Sequence, residues 1–361
     1  MVEQCWHQVP GGSGTYIQEL TREFQQRGDV RLTGFAARHS TPPVLPIAVP
    51  TTHSRLPRPV LYEAWTRLRR PGLPGVAGAA DVIHATTWAI PRRTAPLVVT
   101  VHDLAFLRNP EFFTTRGNAF FRRAFDIVRD EADIVIAPSQ TTADDCVAHG
   151  IEAERIRVIQ HGVRSATVAG STVDAFRLRR GLDRPYILWC GTLEPRKNVA
   201  GLIAAFVEVS QRSPDLDLVL VGPRGWGQVS EQVSDAMSEE LRSRVHLLGR
   251  LDDDELAAAY AGARAFCFPS FWEGFGMPVL EAMAHGAPVV TSRDTSMAEF
   301  IGGGGLLADP GTPDQIAEAL LEAVGGRHDE LAEGARRAAE AFTWARTADL
   351  TVRAYRDAAW G

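Results

Sequence analysis

The side chains in this sequence best suited to chemistry are two carboxylates, Glu273 and Glu281, which stand eight residues apart. Pro278 and Gly286 are typical of the start and the end of a helix, so Glu273 is predicted on a glycine-rich loop and Glu281 in the first helical turn. The loop would offer backbone amides to an anion or to sugar hydroxyls, namely those of Gly274, Phe275 and Gly276. The two carboxylates could bind two separate polyols, such as a hexose and a ribose. A general acid–base pair of a glycosidase is the competing interpretation, because sequence spacing does not give the distance between the carboxyl groups.

Two adjacent cations, Arg196 and Lys197, form a second motif within residues 191–198, after an apolar strand pattern and before a helix pattern. Lys197 is the only lysine in the sequence, and the 37 other basic residues are arginines. A single retained lysine suggests a function that needs a compact ammonium group. Two cations at the start of a helix would neutralise a diphosphate, with help from the helix dipole. The alternative is an exposed Arg-Lys pair on a solvated surface.

A third motif, Val101-His102-Asp103-Leu104, directly follows an apolar strand pattern that begins at Leu97. Polar residues at the carboxyl end of a parallel strand are well placed to meet a ligand. His102 could act as a hydrogen-bond donor to that ligand or as a general acid or base. The alternative is that His102 and Asp103 form a structural hydrogen-bonded pair.

The glycines at 11, 12 and 14 precede a helix pattern at 16–26 and form the fourth motif. Glycines after a strand allow a ligand to approach the backbone, and the start of a helix favours anions. The spacing differs from the G-x-G-x-x-G fingerprint, so binding of NAD is disfavoured. An ordinary strand–helix turn is the alternative. A strand should precede this turn, and only Met1–Val9 is available for it.

Short apolar segments rich in β-branched residues alternate with helix patterns along the chain. This alternation is typical of parallel sheets covered by helices on both faces, and it predicts the α/β class. The pattern breaks near residues 164–184, which divides the chain into two Rossmann-like domains with a cleft between them. The predicted boundaries are 1–165 for the first domain, 166–184 for a linker, 185–343 for the second domain and 344–361 for a C-terminal helix.

The composition is that of a globular protein, with 361 residues, a net charge of −6 and 45% hydrophobic residues. These values exclude a mainly disordered chain and disfavour a nucleic-acid binder that depends on positive charge. No apolar run is long enough to span a membrane, and no signal peptide is recognised at the start. The four cysteines are scattered and lack the spacing of a zinc site, so we expect buried thiols and a cytoplasmic protein.

Residues 31–123 are strongly basic, with 13 arginines against four acidic residues. Two helix-like stretches combine arginines with apolar and aromatic residues; the arginines are Arg55, Arg58, Arg67, Arg69 and Arg70 in one and Arg116, Arg122 and Arg123 in the other. Basic amphipathic segments suit an anionic membrane surface or a lipid-diphosphate acceptor. A solvated helix face that packs its apolar side inward is the alternative.

Taken together, the motifs resemble the retaining glycosyltransferases of family four, which have the GT-B fold. The resemblance covers nearly the whole chain in order, through segments 11–16, 102–103, 137–139, 158–163, 191–198, 221–222, 248–249, 269–270 and 273–288. The Glu–seven residues–Glu stretch is the most specific element, followed by Gly191–Asn198. The resemblance implies two Rossmann-like domains that face a central cleft, with a C-terminal helix able to cross back to the first domain.

The resemblance also implies roles for individual residues. Arg196 and Lys197 would hold the diphosphate of a nucleotide sugar, and Glu273 would contact hydroxyls of the transferred sugar, beside the amides of the glycine-rich loop. Glu281 would hold the ribose hydroxyls. The remaining assignments are Arg250 and Leu251 beside the base, Gly12 and Gly14 near the donor phosphate, and His102 near the sugar. Such enzymes need no metal ion or other cofactor.

The combination of Val101–Leu104 with Gly191–Asn198 is most similar to GDP-mannose-dependent mannosyltransferases of polysaccharide assembly. The implied reaction moves mannose to a hydroxyl of a glycan or lipid-linked acceptor. A UDP-hexose donor is the main alternative, since no residue physically distinguishes the bases. Two further candidate functions are a nucleotide-sugar epimerase of the same fold and an inactive sugar-nucleotide-binding protein.

Overall fold

The structure is a computed structural model that describes residues 1–73, 80–164, 167–223 and 239–361. Its backbone contacts define two compact units. The first unit contains residues 1–162 and 343–361, and the second contains residues 163–342. Every strand pair in both units is parallel, which confirms the predicted α/β class.

The first unit holds two parallel sheets. One pairs β1 (Gly34–Arg38) with β2 (Thr51–Pro57), and the other has the order β3-β4-β5-β6, formed by Ile83–Ala85, Leu97–Thr100, Ile134–Ala137 and Ile156–Val158. The helices of this unit are Gly11–Gln25, Arg58–Leu68, Ala105–Arg108, Thr115–Glu131, Gln140–Ala148 and Trp344–Trp360, with 3₁₀ turns at Glu3–Trp6, Pro110–Phe112 and Ala153–Arg155. Strands β4 and β5 are fully buried, as expected for strands covered on both faces.

The prediction of a strand within Met1–Val9 is wrong. This segment forms the 3₁₀ turn Glu3–Trp6, and the next helix already begins at Gly11, so the glycines lie in its first turn and not in a preceding loop. The cause is the side chain of Glu3, which is buried and accepts a hydrogen bond from the backbone N–H of Ala37 at 2.6 Å. A buried carboxylate requires such partners, and satisfying them keeps this segment out of an extended conformation.

The C-terminal helix Trp344–Trp360 belongs to the first unit, as the resemblance allows. Ala354 packs with Val98 and Ile136 of β4 and β5. The hydroxyl of Tyr355 lies 2.8 Å from Nδ1 of His84 in β3. The last helix therefore closes the core of the first unit.

The described residues of the second unit form a six-stranded sheet with the order β12-β11-β10-β7-β8-β9. Its strands are β7 (Tyr186–Cys190), β8 (Asp217–Val221), β9 (Val245–Gly249), β10 (Ala265–Phe268), β11 (Val289–Ser292) and β12 (Gly305–Ala308). The described helices are Gly170–Arg180, Val199–Arg212, Glu239–Arg242, Asp253–Ala261, Met277–Ala284, Pro313–Val324 and His328–Ala339, with 3₁₀ turns at Pro195–Lys197, Ser296–Glu299 and Gly302–Gly304.

The predicted linker, residues 166–184, is corrected by the structure because most of it is a helix of the second unit. The helix Gly170–Arg180 buries Phe176, and its Arg180 donates to the Glu255 carboxylate on the helix Asp253–Ala261. This helix lacks the strong apolar periodicity of its neighbours, since Phe176 is its only buried residue. The segment therefore resembles a polar connection in sequence although it packs as part of the unit.

Gly222, directly after β8, brings the loop after β7 close to the backbone of β8. Its φ is +138°, and a Cβ added there would overlap the carbonyl oxygen of Gly191. We expect Gly222→Ala to lower the free energy of unfolding by at least about 2 kcal/mol, because backbone strain and a backbone clash combine.

Urea unfolding followed by circular dichroism measures this difference. Gly170→Ala is the matched control in the same unit, because nothing lies within 4 Å of a Cβ there. An unchanged transition in Gly222→Ala would show that the Gly191 loop does not pack as described.

Candidate functional site

Two loops at the carboxyl edge of the second sheet bring the candidate site together. Strands β7 and β10 are hydrogen-bonded neighbours, so the loops that follow them leave the same edge. The first loop carries Arg196 and Lys197 in a 3₁₀ turn, and the second carries Glu273. The backbone N–H of Phe271 donates to the carbonyl oxygen of Arg196 at 2.9 Å and joins the two loops.

The centre of the site is a buried ion cluster formed by Lys197, Glu273 and Arg196. The ammonium of Lys197 contacts one carboxylate oxygen of Glu273, and Nη1 of Arg196 donates to the other at 2.9 Å. Lys197 and Glu273 are each 7% exposed. Arg196 also donates to Glu194 at 3.1 Å, and the Lys197 ammonium lies 4.8 Å from the centroid of the Phe268 ring. The cluster thus holds two cations at fixed positions at the edge of the sheet.

The electrostatics of this cluster keep Glu273 ionised. Burial by itself would raise the pKa of Glu273, but the charges of Arg196 and Lys197 outweigh it and lower the pKa to about 2. Burial, followed by the charge of Arg196, lowers the pKa of Lys197. The ionised state of Glu273 therefore depends on the two cations, and the charge of the buried Lys197 is supported by the Glu273 carboxylate.

The glycine-rich loop 273–276 is held by Ser296. The Ser296 hydroxyl donates to the carbonyl oxygens of Glu273 at 2.8 Å and Phe275 at 3.1 Å. Gly276 has a φ of +98°, and a Cβ there would overlap Cγ of Met297. The glycine lets the chain turn directly into the helix Met277–Ala284, which begins with Pro278 near its first position and is followed by Gly286, as predicted.

Glu281 lies on this helix and differs electrostatically from Glu273. The hydroxyl of the buried Tyr260 donates to Oε2 of Glu281 at 2.9 Å. No cation pairs with Glu281 among the described residues, and burial raises the pKa of its carboxyl to about 7. The two carboxylates of the motif are thus one ionised group and one group that titrates near neutral pH.

Arg250 and Leu251 directly follow β9, which is separated from β7 by β8 in the same sheet. Arg250 is exposed and Leu251 is half-buried. Asp252 then caps the helix Asp253–Ala261 by accepting from the N–H of Glu255 at 2.8 Å, so the acidic run 252–254 is a helix start. In the part of the chain that the structure describes, no group of three or more His, Cys, Asp or Glu is arranged to hold a metal ion.

The structure places Gly12, Gly14 and His102 in the first unit, whereas the other predicted site residues belong to the second. Gly12 is exposed and Gly14 is buried, both in the first turn of the helix Gly11–Gln25. His102 follows β4 and donates through Nε2 to the carbonyl oxygen of Thr86 at 2.9 Å. Burial lowers the pKa of His102, which favours the neutral ring.

Sequence reasoning missed Ser296 and Tyr260, which hold the loop and the second carboxylate. Ser296 follows β11, and Tyr260 lies on the helix Asp253–Ala261. Each contacts the motif through a hydrogen bond that spans more than 20 residues of sequence. Ser296 lies in the polar segment 291–296 and gave no signal, whereas Tyr260 was visible only as the one polar side chain in the apolar run 256–261.

Two parallel α/β units, with a buried lysine, a half-buried arginine and two carboxylates at the carboxyl edge of the second sheet, define the class of two-domain glycosyltransferases with the GT-B fold. The family described as "Glycosyl transferases group 1" matches residues 172–341, and the one described as "Glycosyltransferase Family 4" matches residues 10–166. The chain therefore belongs to the glycosyltransferases of group 1 and family 4 that these two descriptions name.

The chain is similar to the O-antigen chain mannosyltransferase B of Escherichia coli, with 31% identity over 287 residues that cover 76% of this chain and 74% of the relative. It is also similar to the MMP alpha-(1->4)-mannosyltransferase of Mycolicibacterium hassiacum, with 28% identity over an alignment that covers 96% and 95% of the two chains. Among solved structures, Anabaena HepE in complex with UDP and glucose has a TM-score of 0.74, 21% identity and 95% coverage of both chains. These similarities confirm the predicted family and fold.

The ion cluster predicts strong coupling between Lys197 and Glu273 in stability. We expect Glu273→Gln to cost about 3 kcal/mol, because it leaves Lys197 buried without its carboxylate. Lys197→Met should cost less, since Glu273 keeps Arg196. The double variant should cost less than the sum of the two by at least about 1 kcal/mol.

Urea unfolding of the four proteins gives this coupling energy. The exposed pair Arg212–Glu208, 3.0 Å apart, is the control, and the same cycle there should give a coupling below about 0.5 kcal/mol. Additive effects at Lys197 and Glu273 would contradict the described contact.

We expect Glu281 to make the free energy of unfolding depend on pH with the opposite sign to the effect of Glu273. Its pKa rises from 4.5 to about 7 on folding, so the folded chain binds more protons than the unfolded chain between these values. The stabilisation is therefore complete below pH 4.5 and is lost as the pH rises through 7. We expect the free energy of unfolding of Glu281→Gln to rise relative to wild type from about pH 5 to about pH 8, as measured by urea unfolding. Parallel pH profiles would show that Glu281 titrates normally.

Proposed function

We propose that this glycosyltransferase moves mannose from GDP-mannose to a hydroxyl of a glycan or lipid-linked acceptor, with retention of configuration and without a metal ion. The observation that carries the proposal is the buried cluster of Arg196, Lys197 and Glu273. Two fixed cations supply the charge that a metal ion would otherwise bring to a diphosphate. Two of the similar proteins are named mannosyltransferases, which supports mannose as the transferred sugar.

In this proposal Arg196 and Lys197 bind the donor diphosphate, and Glu273 accepts from hydroxyls of the mannose. The Phe275 and Gly276 amides at the start of the helix Met277–Ala284 add donors toward sugar and phosphate. Glu281 binds the ribose hydroxyls. The first unit contributes Gly12, Gly14 and His102, and Arg250 with Leu251 lies beside the base.

The reaction breaks the bond between the anomeric carbon and the phosphate oxygen, which leaves with the electron pair. The acceptor hydroxyl forms the new bond on the same face of the sugar and passes its proton to the departing phosphate oxygen, so no general base is assigned. Negative charge grows on the phosphate and positive charge on the sugar ring. Arg196 and Lys197 stabilise that phosphate more in the transition state than in the ground state.

The acceptor side is proposed from the basic first unit. Part of the basic surface is neutralised internally, since Arg67 pairs with Glu63 at 2.7 Å and Arg69 with Glu131 at 2.6 Å. The structure contains no described helix with the length and apolarity needed to cross a bilayer. A peripheral contact with an anionic membrane at the inner face would use the remaining arginines.

A UDP-hexose donor is the second candidate, because a protein with a similar fold was solved with UDP and glucose. Both candidates use the same diphosphate contacts and differ at the base and at the transferred sugar. A panel of nucleotides therefore separates them, whereas variants of the diphosphate site do not.

Calorimetric titration with GDP, UDP, GDP-mannose and UDP-glucose in the presence of a chelator tests the proposed function. We expect the guanosine series to bind with micromolar dissociation constants and the uridine series at least tenfold more weakly. Lys197→Ala should lose about 10²-fold in affinity or more, because a charge-assisted contact to the diphosphate is removed.

Arg337→Ala is the matched control, because Arg337 is an exposed cation of the same unit. Tighter binding of the uridine series would replace the proposed donor with a UDP-hexose. Binding that requires a metal ion, or that survives in Lys197→Ala, would overturn the assignment of the diphosphate site.

A further inference from the structure

A cluster of three rings lies at the carboxyl end of β1, outside the residues assigned above. Trp6 stacks on His39 with centroids 4.8 Å apart and planes 9° apart, and His53 meets the edge of Trp6 at 5.3 Å. His39 directly follows β1, and His53 lies on the paired strand β2. Trp6 and His39 are half-buried and His53 is exposed, so this ring cluster is part of the surface.

Hydrogen bonds to a buried carboxylate and to backbone carbonyl oxygens hold the rings of the cluster in place. The carboxylate of Glu3, 1% exposed, accepts from Nε2 of His39 at 2.9 Å as well as from the backbone. The indole N–H of Trp6 donates to the carbonyl oxygen of Thr41, and Nδ1 of His53 to that of Ala37, both at 2.9 Å. Each ring thus has a fixed orientation. A preorganised aromatic surface of this kind loses little entropy when it binds a ligand.

Two further observations indicate a polar, anionic ligand. Nε2 of His7, the residue after Trp6, is buried and has no hydrogen-bond partner in the described part of the chain. A buried polar atom without a partner is rare and calls for a hydrogen-bonding group that the described residues do not supply. Arg58 directly follows Pro57, which pairs with Arg38 at the end of β1, so Arg58 lies beside the strand end that His39 directly follows.

The charged residues around the ring cluster are three arginines and the buried carboxylate of Glu3 behind His39, which leaves a net positive charge. Arg38, Arg55 and Arg58 lie at the end of β1, within β2 and at the start of the next helix. No carboxylate of the described residues lies within ion-pair distance of these three arginines. In contrast, Arg67 on the same helix and Arg69 just after it are each paired with a glutamate. A surface of this sign attracts an anionic ligand.

We propose that the ring cluster, with His7 and Arg58, binds a sugar that carries a phosphate group and that this sugar phosphate is the acceptor of the transfer. The inference rests on the proposed function, since it names the acceptor class for that reaction. The rings of Trp6 and His39 offer apolar surface to the C–H face of the sugar. His7 accepts from or donates to a hydroxyl, and the guanidinium of Arg58 binds the phosphate. The segment that carries Trp6 and His7 leads directly into the helix Gly11–Gln25, whose first glycines are assigned to the donor phosphate.

Ligand-observed NMR and calorimetry on the full chain saturated with GDP test this proposal with four probes. The probes are mannose 1-phosphate, its octyl phosphodiester, methyl α-mannoside and inorganic phosphate. We expect mannose 1-phosphate or its diester to bind at least tenfold more tightly than methyl mannoside and inorganic phosphate, because ring and anion are recognised together. Preference for the diester indicates a lipid-linked source of the phosphate, and preference for the monoester indicates a free sugar phosphate.

Variants assign the binding to these residues. Arg58→Gln and Trp6→Ala should each weaken binding of the sugar phosphate about tenfold, and Trp6→Phe should retain most of it. Arg92→Gln, which removes an exposed arginine of the same unit, should have no effect. Equal binding of all four probes, no binding at all, or unchanged affinity in both Arg58→Gln and Trp6→Ala would overturn the proposal.

Titration with GDP separates this outcome from failure of the proposed function. The GDP contact that the Lys197→Ala variant tests lies in the second unit. Arg58→Gln and Trp6→Ala should therefore bind GDP as wild type does. If wild type does not bind GDP, the proposed function fails. If GDP binds normally and the sugar phosphate does not bind, only the inference about the acceptor fails.

Discussion

The contact of Glu273 with Lys197 and Arg196 is the interaction on which the second unit's site depends. Because Lys197 and Glu273 are both almost fully buried, Lys197 depends on Glu273 for its carboxylate partner, and Glu273 depends on Lys197 and Arg196 for its cations. This requirement fixes the loop after β7 against the loop after β10. The backbone bond from Phe271 to Arg196 and the hydroxyl of Ser296 then hold the loops in that arrangement. The ion cluster is thus both the structural centre of the site and its source of positive charge.

The two carboxylates of the motif have different neighbours, and these give them different properties. Glu273 faces two cations and stays ionised far below neutral pH, whereas Glu281 faces the Tyr260 hydroxyl and burial raises its pKa into the neutral range. An ionised carboxylate accepts hydrogen bonds only, while a carboxyl that titrates near pH 7 can also donate. One ionised and one protonated carboxyl is also the pattern of a glycosidase acid–base pair, so membership of a glycosyltransferase family, and not this difference in pKa, argues against that interpretation.

Much of the fold could be predicted from the sequence because continuous apolar strands alternate with helices, as at Leu97–Thr100 and Tyr186–Cys190. The helix that carries Glu281 was also predictable, because Pro278 and Gly286 indicate its start and its end through the backbone preferences of the residues themselves. The pairing of Lys197 with Glu273 was not predictable, since 76 residues separate them and only the sheet order brings their loops together. The 3₁₀ turn at Glu3–Trp6 was missed for the same reason, because a bond to Ala37 decides it.

The most direct test of the central claim is a crystal structure of the chain with GDP bound. The diphosphate should lie within hydrogen-bond distance of the Lys197 ammonium and the Arg196 guanidinium, and the ribose hydroxyls should meet the carboxyl of Glu281. Glu273 should remain in contact with Lys197 and keep the cations in place. A nucleotide bound at another edge of the sheet, or a diphosphate held by a metal ion with Lys197 and Arg196 turned away from it, would contradict the account.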